Sequence, residues 1–69
     1  MKTAMTLEQV VENINGIYGA SAERQAANYA LSNLDDDSSI EFNLNCLWAS
    51  GANFNFATAM AMAMEDVQE

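Results

Sequence analysis

The side chains that could carry chemistry in this chain are almost all carboxylates. Asp35, Asp36 and Asp37 stand together near the middle, with Glu41 just after them. Glu8 and Glu12 lie four residues apart near the start, and Glu65 and Asp66 lie near the end. Carboxylates can transfer protons, hold cations or present charge. Two carboxylates suffice for glycoside cleavage, but a 69-residue chain offers little wall for a sugar cleft. Calcium is the second option. An EF-hand loop takes acidic ligands at positions 1, 3 and 5, Gly at 6 and Glu at 12. A loop starting at Asp35 puts Ile40 and Cys46 at the last two of these positions, and one starting at Asn33 puts Ser38 and Leu44 there. Neither register works, so no metal site is expected.

Missing residues close most other routes. There is no His, hence no imidazole base and none of the commonest metal ligand. Cys46 is the single cysteine, so there is no Cys pair for zinc and no disulfide within the chain. No His or Lys adjoins it in Leu44-Asn45-Cys46-Leu47-Trp48 to activate the thiol, and it reads as a small buried hydrophobe. Lys2 sits in a frayed lead, the serines have no imidazole to activate them, and no Gly-Lys-Ser/Thr phosphate loop is present. The expected protein is no enzyme and needs no cofactor.

Charge is what remains. Ten acidic residues face only Lys2 and Arg24, giving a net charge of −8. A disordered acidic chain would be poor in apolar residues; this one is 51% hydrophobic and should fold as a single domain over residues 1–69. Its charge repels nucleic acid and anionic lipid and suits a basic protein surface. Three acidic placements also oppose stability. Asp35, Asp36 and Asp37 repel one another. Glu8 and Glu12 share a helical face, about 6 Å apart along the axis. Glu65, Asp66 and Glu69 crowd the end of a helix whose dipole disfavours them. The plainer reading of the Asp run is a solvated loop with capping duty; the coincidence of three such groups points to a positively charged partner. Asn43, Asn45, Asn53 and Asn55 could add hydrogen bonds at the rim of such a contact.

The elements that would position these groups are helical. Thr6 and Gln9 form a capping-box pattern, and Leu7, Val10, Val11, Ile14, Ile17 and Tyr18 keep helical spacing, which predicts a helix over 7–18 ended by Gly19. Ser21 is the next N-cap, for a helix over 22–34 whose stripe is Ala22, Ala26, Tyr29, Ala30 and Leu34. Residues 40–64 read in two ways. Their partial alternation fits a β-hairpin turning near Ser50-Gly51-Ala52. Against that, β-branched residues are almost absent, Ser38 and Glu41 form a second capping-box pattern, and Gly51 falls where a C-cap glycine belongs. Asn53 could then cap a last helix with Phe56, Met60, Met64 and Val67 on one face. The expectation is an all-α fold, a compact bundle of four short helices. The alternative is α+β, two helices packed on a hairpin formed by residues 40–64. The third helix, apolar nearly all round, is expected at the centre.

In size, acidity and lack of catalytic residues the chain resembles small phage-encoded inhibitors of bacterial defence, the anti-CRISPR proteins and antirestriction DNA mimics. Thr6-Leu7-Glu8-Gln9, Leu34-Asp35-Asp36-Asp37 and Glu65-Asp66-Val67 carry that character. The resemblance implies a stoichiometric blocker of an effector's DNA-reading surface. The functional expectation is therefore an acidic binding protein that mimics nucleic-acid charge and covers the basic surface of a nucleic-acid-binding protein such as a Cas effector. It would touch no nucleic acid directly, act as a monomer or homodimer, and work in the host cell's cytoplasm. Its contacts would come from Asp35, Asp36, Asp37, Glu41, Glu8, Glu12, Glu65 and Asp66. The alternative is a small structural or regulatory helical module that homo-oligomerises or docks on a larger protein through an apolar Phe/Met/Trp surface. With no run of about 20 apolar residues, no membrane span is expected, and no basic and apolar leader marks a signal peptide.

Overall fold

Local capping chemistry opens the first helix. The Gln9 amide donates to Thr6 Oγ1 at 3.2 Å, and the Thr6 amide donates to Gln9 Oε1 at 3.0 Å. Each bond satisfies a donor that the helix itself leaves free. The structure, a computed structural model, describes residues 5–34 and 39–68. In it α1 spans Leu7–Asn15, three residues shorter than the periodicity predicts. Gly16 closes it with φ −89° and ψ 0°. Gly19 does take the positive φ expected of it, +70°, but opens the next helix instead of ending the first. That helix, α2, runs Ala20–Ser32, so Ser21 lies inside it and is not its cap. Tyr18, which periodicity places on the core stripe, falls in the connection and is almost fully exposed.

Two further helices, α3 (Ile40–Ala49) and α4 (Phe56–Gln68), complete a four-helix, all-α bundle. The hairpin alternative over 40–64 does not form; no strand occurs among the described residues. The termini explain why helix prevails. Ser39 Oγ accepts from the Phe42 amide at 3.0 Å. The cap is thus one residue later than the Ser38–Glu41 pattern suggests, and Ser38 lies outside the described residues. At the other end Gly51 has φ +103°. Its amide donates to the Trp48 carbonyl at 3.0 Å, and the Ala52 amide donates to the Leu47 carbonyl at 3.1 Å. This pair of bonds is the Schellman closure, which needs a left-handed residue at the glycine. Asn55, not Asn53, caps α4: its Oδ1 accepts from the Thr58 amide at 2.9 Å.

The central helix is α2, not α3. It packs against all three others, while α3 and α4 also pack on each other and α1 rests mainly on α2. Apolarity alone favours α3 for this place, and it is overridden by size. Ala22, Ala26, Ala27 and Ala30 of α2 are buried, as are Ala59 and Ala63 of α4. Methyl side chains let two backbones approach closely, whereas α3 would hold its neighbours off with Phe42 and Trp48. Both of those rings instead face solvent. The i, i+4 alanine ridges of α2 and α4 favour interdigitation at a steep angle, about 50°. Two adjacent α2 residues agree with such a crossing. Glu23 Oε2 accepts from the Asn55 amide at 2.6 Å, and Arg24 Nη1 donates to Asp66 Oδ2 at 2.7 Å. Asn55 and Asp66 are about 16 Å apart along α4, so the two contacts tie both ends of α4 to one level of α2.

Ile14, Leu44 and Leu47 are the largest side chains buried completely. The radius of gyration, 11.3 Å, matches the value of about 11 Å expected for a compact chain of this length.

Candidate functional site

The predicted contact residues are spread over three helices. Glu8 and Glu12 are exposed on α1, Glu41 on α3, and Glu65 and Asp66 on α4. Asp35, Asp36 and Asp37 lie outside the described residues. Helical spacing puts Glu8, Glu12 and Asn15 in one row along the flank of α1. Asn15 ends that row against the α3–α4 connection: its Nδ2 donates to the Gly51 carbonyl at 3.1 Å, and its Oδ1 accepts from the Asn53 amide at 2.8 Å. The row that begins with the two carboxylates of α1 therefore ends at the connection that follows Trp48.

Not every acid is available to a partner. Asp66 is bound to Arg24 at 2.7 Å, with the side chains 41% and 42% exposed. At that exposure the pair contributes at most about 1 kcal/mol to stability, but it removes Asp66 from the set of uncompensated charges. Glu23 is occupied with the Asn55 amide. In an ordinary capping box the third helical residue reaches back to the cap's own amide; here Thr58 holds that position and Glu23 of α2 performs the task from another helix. Among the described residues Arg24 is the only cation, and it is paired. The described surface consequently carries negative and neutral groups with no free positive charge.

The asparagines divide by role. Asn43 is buried and donates through Nδ2 to the Ala30 carbonyl at 3.0 Å, which caps the end of α2. Asn53 and Asn55 are exposed, with their amides committed internally, and Asn45 is exposed on α3. Of the four, Asn43 is removed from any rim.

An apolar surface is the feature that periodicity only half reveals. Phe56, Met60, Met64 and Val67 do share a face of α4, but Ala59 and Ala63 occupy the centre of its buried side. Phe56 and Met60 are half-buried, Met64 is 40% exposed and Val67 53%. Trp48, 54% exposed, continues the ribbon from α3. Its ring lies 5.6 Å from Phe56 and 6.0 Å, edge-on, from the buried Phe54. On the other flank of α3 Phe42 is 57% exposed. Cys46, expected to be buried, is only half-buried there. Glu41, Asn45 and Trp48 follow at i, i+4, i+7, so Glu41 lies on the same face of α3 as Trp48, about 10 Å along the helix. No helix among the described residues is long and apolar enough to cross a membrane. Compared with protein-family models, curated proteins and solved structures, the chain matches none.

Proposed function

We propose that the chain is a non-enzymatic acidic binding protein that occupies the basic, nucleic-acid-binding surface of a larger protein, in the manner of an inhibitor of a bacterial defence effector. The observation that carries this reading is the one-signed surface. Net charge is −8, and Arg24, the only described cation, is neutralised by Asp66. Such a field steers a Lys/Arg groove toward the protein and repels competing nucleic acid. Glu8, Glu12, Glu41 and Glu65 are the described carboxylates exposed to make the contact, and Asp35, Asp36 and Asp37 add charge between α2 and α3.

A second reading, a helical module that docks through an apolar surface, is favoured by the exposed Trp48, Met64 and Val67. The test is a pull-down with identification of the captured protein at low and high salt. Capture of a nucleic-acid-binding protein at low salt, lost at high salt and lost on reversing Glu8, Glu12 and Glu41 to Lys, is the expected result. Salt-insensitive capture that survives the reversal would sink the charge reading.

A further inference from the structure

The proposed function leaves unexplained why a chain of 69 residues exposes its only Trp beside a row of Met and Val. We propose that the ribbon Trp48, Phe56, Met60, Met64 and Val67 is the seat of a basic amphipathic helix belonging to the partner protein. Three observations define the occupant.

The first is shape. From Phe56 to Val67 the ribbon runs eleven residues, about 16 Å along α4, the length of three helical turns. An apolar face with anchors at i, i+4, i+7 and i+11 lies along a row of that length. The second is surface chemistry. Met adapts its unbranched thioether to irregular apolar partners, and Trp48 and Phe56, 5.6 Å apart, offer an aromatic end wall. The third is charge. Net charge is −8, and Arg24, the only cation among the described residues, is paired with Asp66. Glu41 shares the exposed face of Trp48 on α3. The surface around the ribbon therefore carries no free positive charge among the described residues. A second copy of this chain would bring −8 onto −8; a helix with Lys and Arg beside its apolar stripe complements both the apolar floor and the negative charge of the protein. This inference rests on the proposed preference for basic partners and adds what that partner inserts.

The probe is a synthetic Leu/Lys peptide of about 18 residues with Leu at helical spacing, compared with a peptide in which each Leu is Ser. Trp48 is the only Trp, so intrinsic fluorescence reports the ribbon directly. The Leu/Lys peptide is expected to bind with one-to-one saturation and shift Trp48 emission to the blue. Val67→Glu and Met64→Glu should each weaken it about tenfold or more, a loss of the size that marks an interface anchor. Thr58→Glu adds the same charge to the exposed side of α4, about 180° round the helix from Val67 and about 120° from Met64, and should change affinity less than about twofold. If the Ser/Lys peptide binds as tightly with no blue shift, the ribbon proposal is overturned and the basic-surface reading stands. If neither peptide binds at low salt, both fail. A concentration-dependent dimer that Val67→Glu dissociates would overturn the proposal by assigning the ribbon to a second copy.

Discussion

Asn43 is the one polar side chain buried among the described residues, at 6% exposure, and replacing it probes how α2 and α3 are joined. Its Nδ2 lies 3.0 Å from the carbonyl of Ala30, a residue with no exposure at all. That carbonyl falls in the last turn of α2, where a helix runs out of amide partners, and the Leu34 amide that could have reached it donates to Leu31 instead. Asn43→Leu keeps the branched outline of the side chain but strands a buried acceptor, at a cost of about 1–3 kcal/mol. Domains of this size hold roughly 3–10 kcal/mol in all. A loss of about 2 kcal/mol should lower the melting temperature by about 8–16 °C, read by far-UV circular dichroism. Asn43→Asp sharpens the test. At neutral pH its carboxylate has no proton to donate and faces both a carbonyl and the negative end of α2, so it should be worse than Leu. Burial beside those groups raises its folded pKa above the ordinary Asp value of about 3.9. The protonated form can donate as the amide does, so the variant should regain stability at acidic pH and lose it as pH rises through the raised folded pKa. Melting of Asn43→Leu at or above the parent temperature, with no pH dependence in Asn43→Asp, would refute the claim that this amide holds the two helices together.

Two other predictions concern the connections. Gly51 has φ +103° whereas Gly16 has φ −89°. Gly51→Ala should therefore cost about 1–2 kcal/mol. At Gly16 an added Cβ would meet only the Glu12 and Asn13 carbonyls at 3.6 Å, ordinary contact, so Gly16→Ala should be neutral or stabilise by up to about 1 kcal/mol; urea melts of the two variants check the contrast. Asn15→Ala removes both bonds to the α3–α4 connection and should lower stability by about 1–2 kcal/mol. Its signature is faster amide exchange at Asn53, and unchanged exchange there would count against the link.

The features legible in the sequence are those written within one turn of helix. The Thr6–Gln9 box and the Gly51 closure depend on residues three to five apart, and each forms as its spacing indicates. Even locally, adjacent candidates compete: Ser39 serves where Ser38 also fits the pattern, and Asn55 serves where Asn53 does. The role of α2 was not legible, because the value of an alanine lies in what it allows another helix to do. The same holds for Asn15, Glu23 and Asn43, whose partners lie 36 and 38, 32, and 13 residues away; nothing beside them in the chain announces those bonds. Periodicity put Phe56, Met60, Met64 and Val67 on one face, yet it could not say that two smaller residues would take the core and leave that face half outside. For the acidic groups, composition conveys the sign of the surface, but the pairing of Asp66 with Arg24 is decided only by how α4 crosses α2.

That crossing has a consequence for mutational tolerance. In most small domains the positions least open to substitution are the large core side chains. Here Ala26, Ala27, Ala30, Ala59 and Ala63 have no exposure, and a larger side chain at any of them forces α2 and its neighbours apart, at about 1–3 kcal/mol or more. Phe42, more than half exposed, can vary with little effect on folding. A comprehensive substitution map scored for folding would be darkest at the smallest residues. Scored for partner capture, the same map would darken at Trp48, so that the two maps together separate what builds the bundle from what it presents.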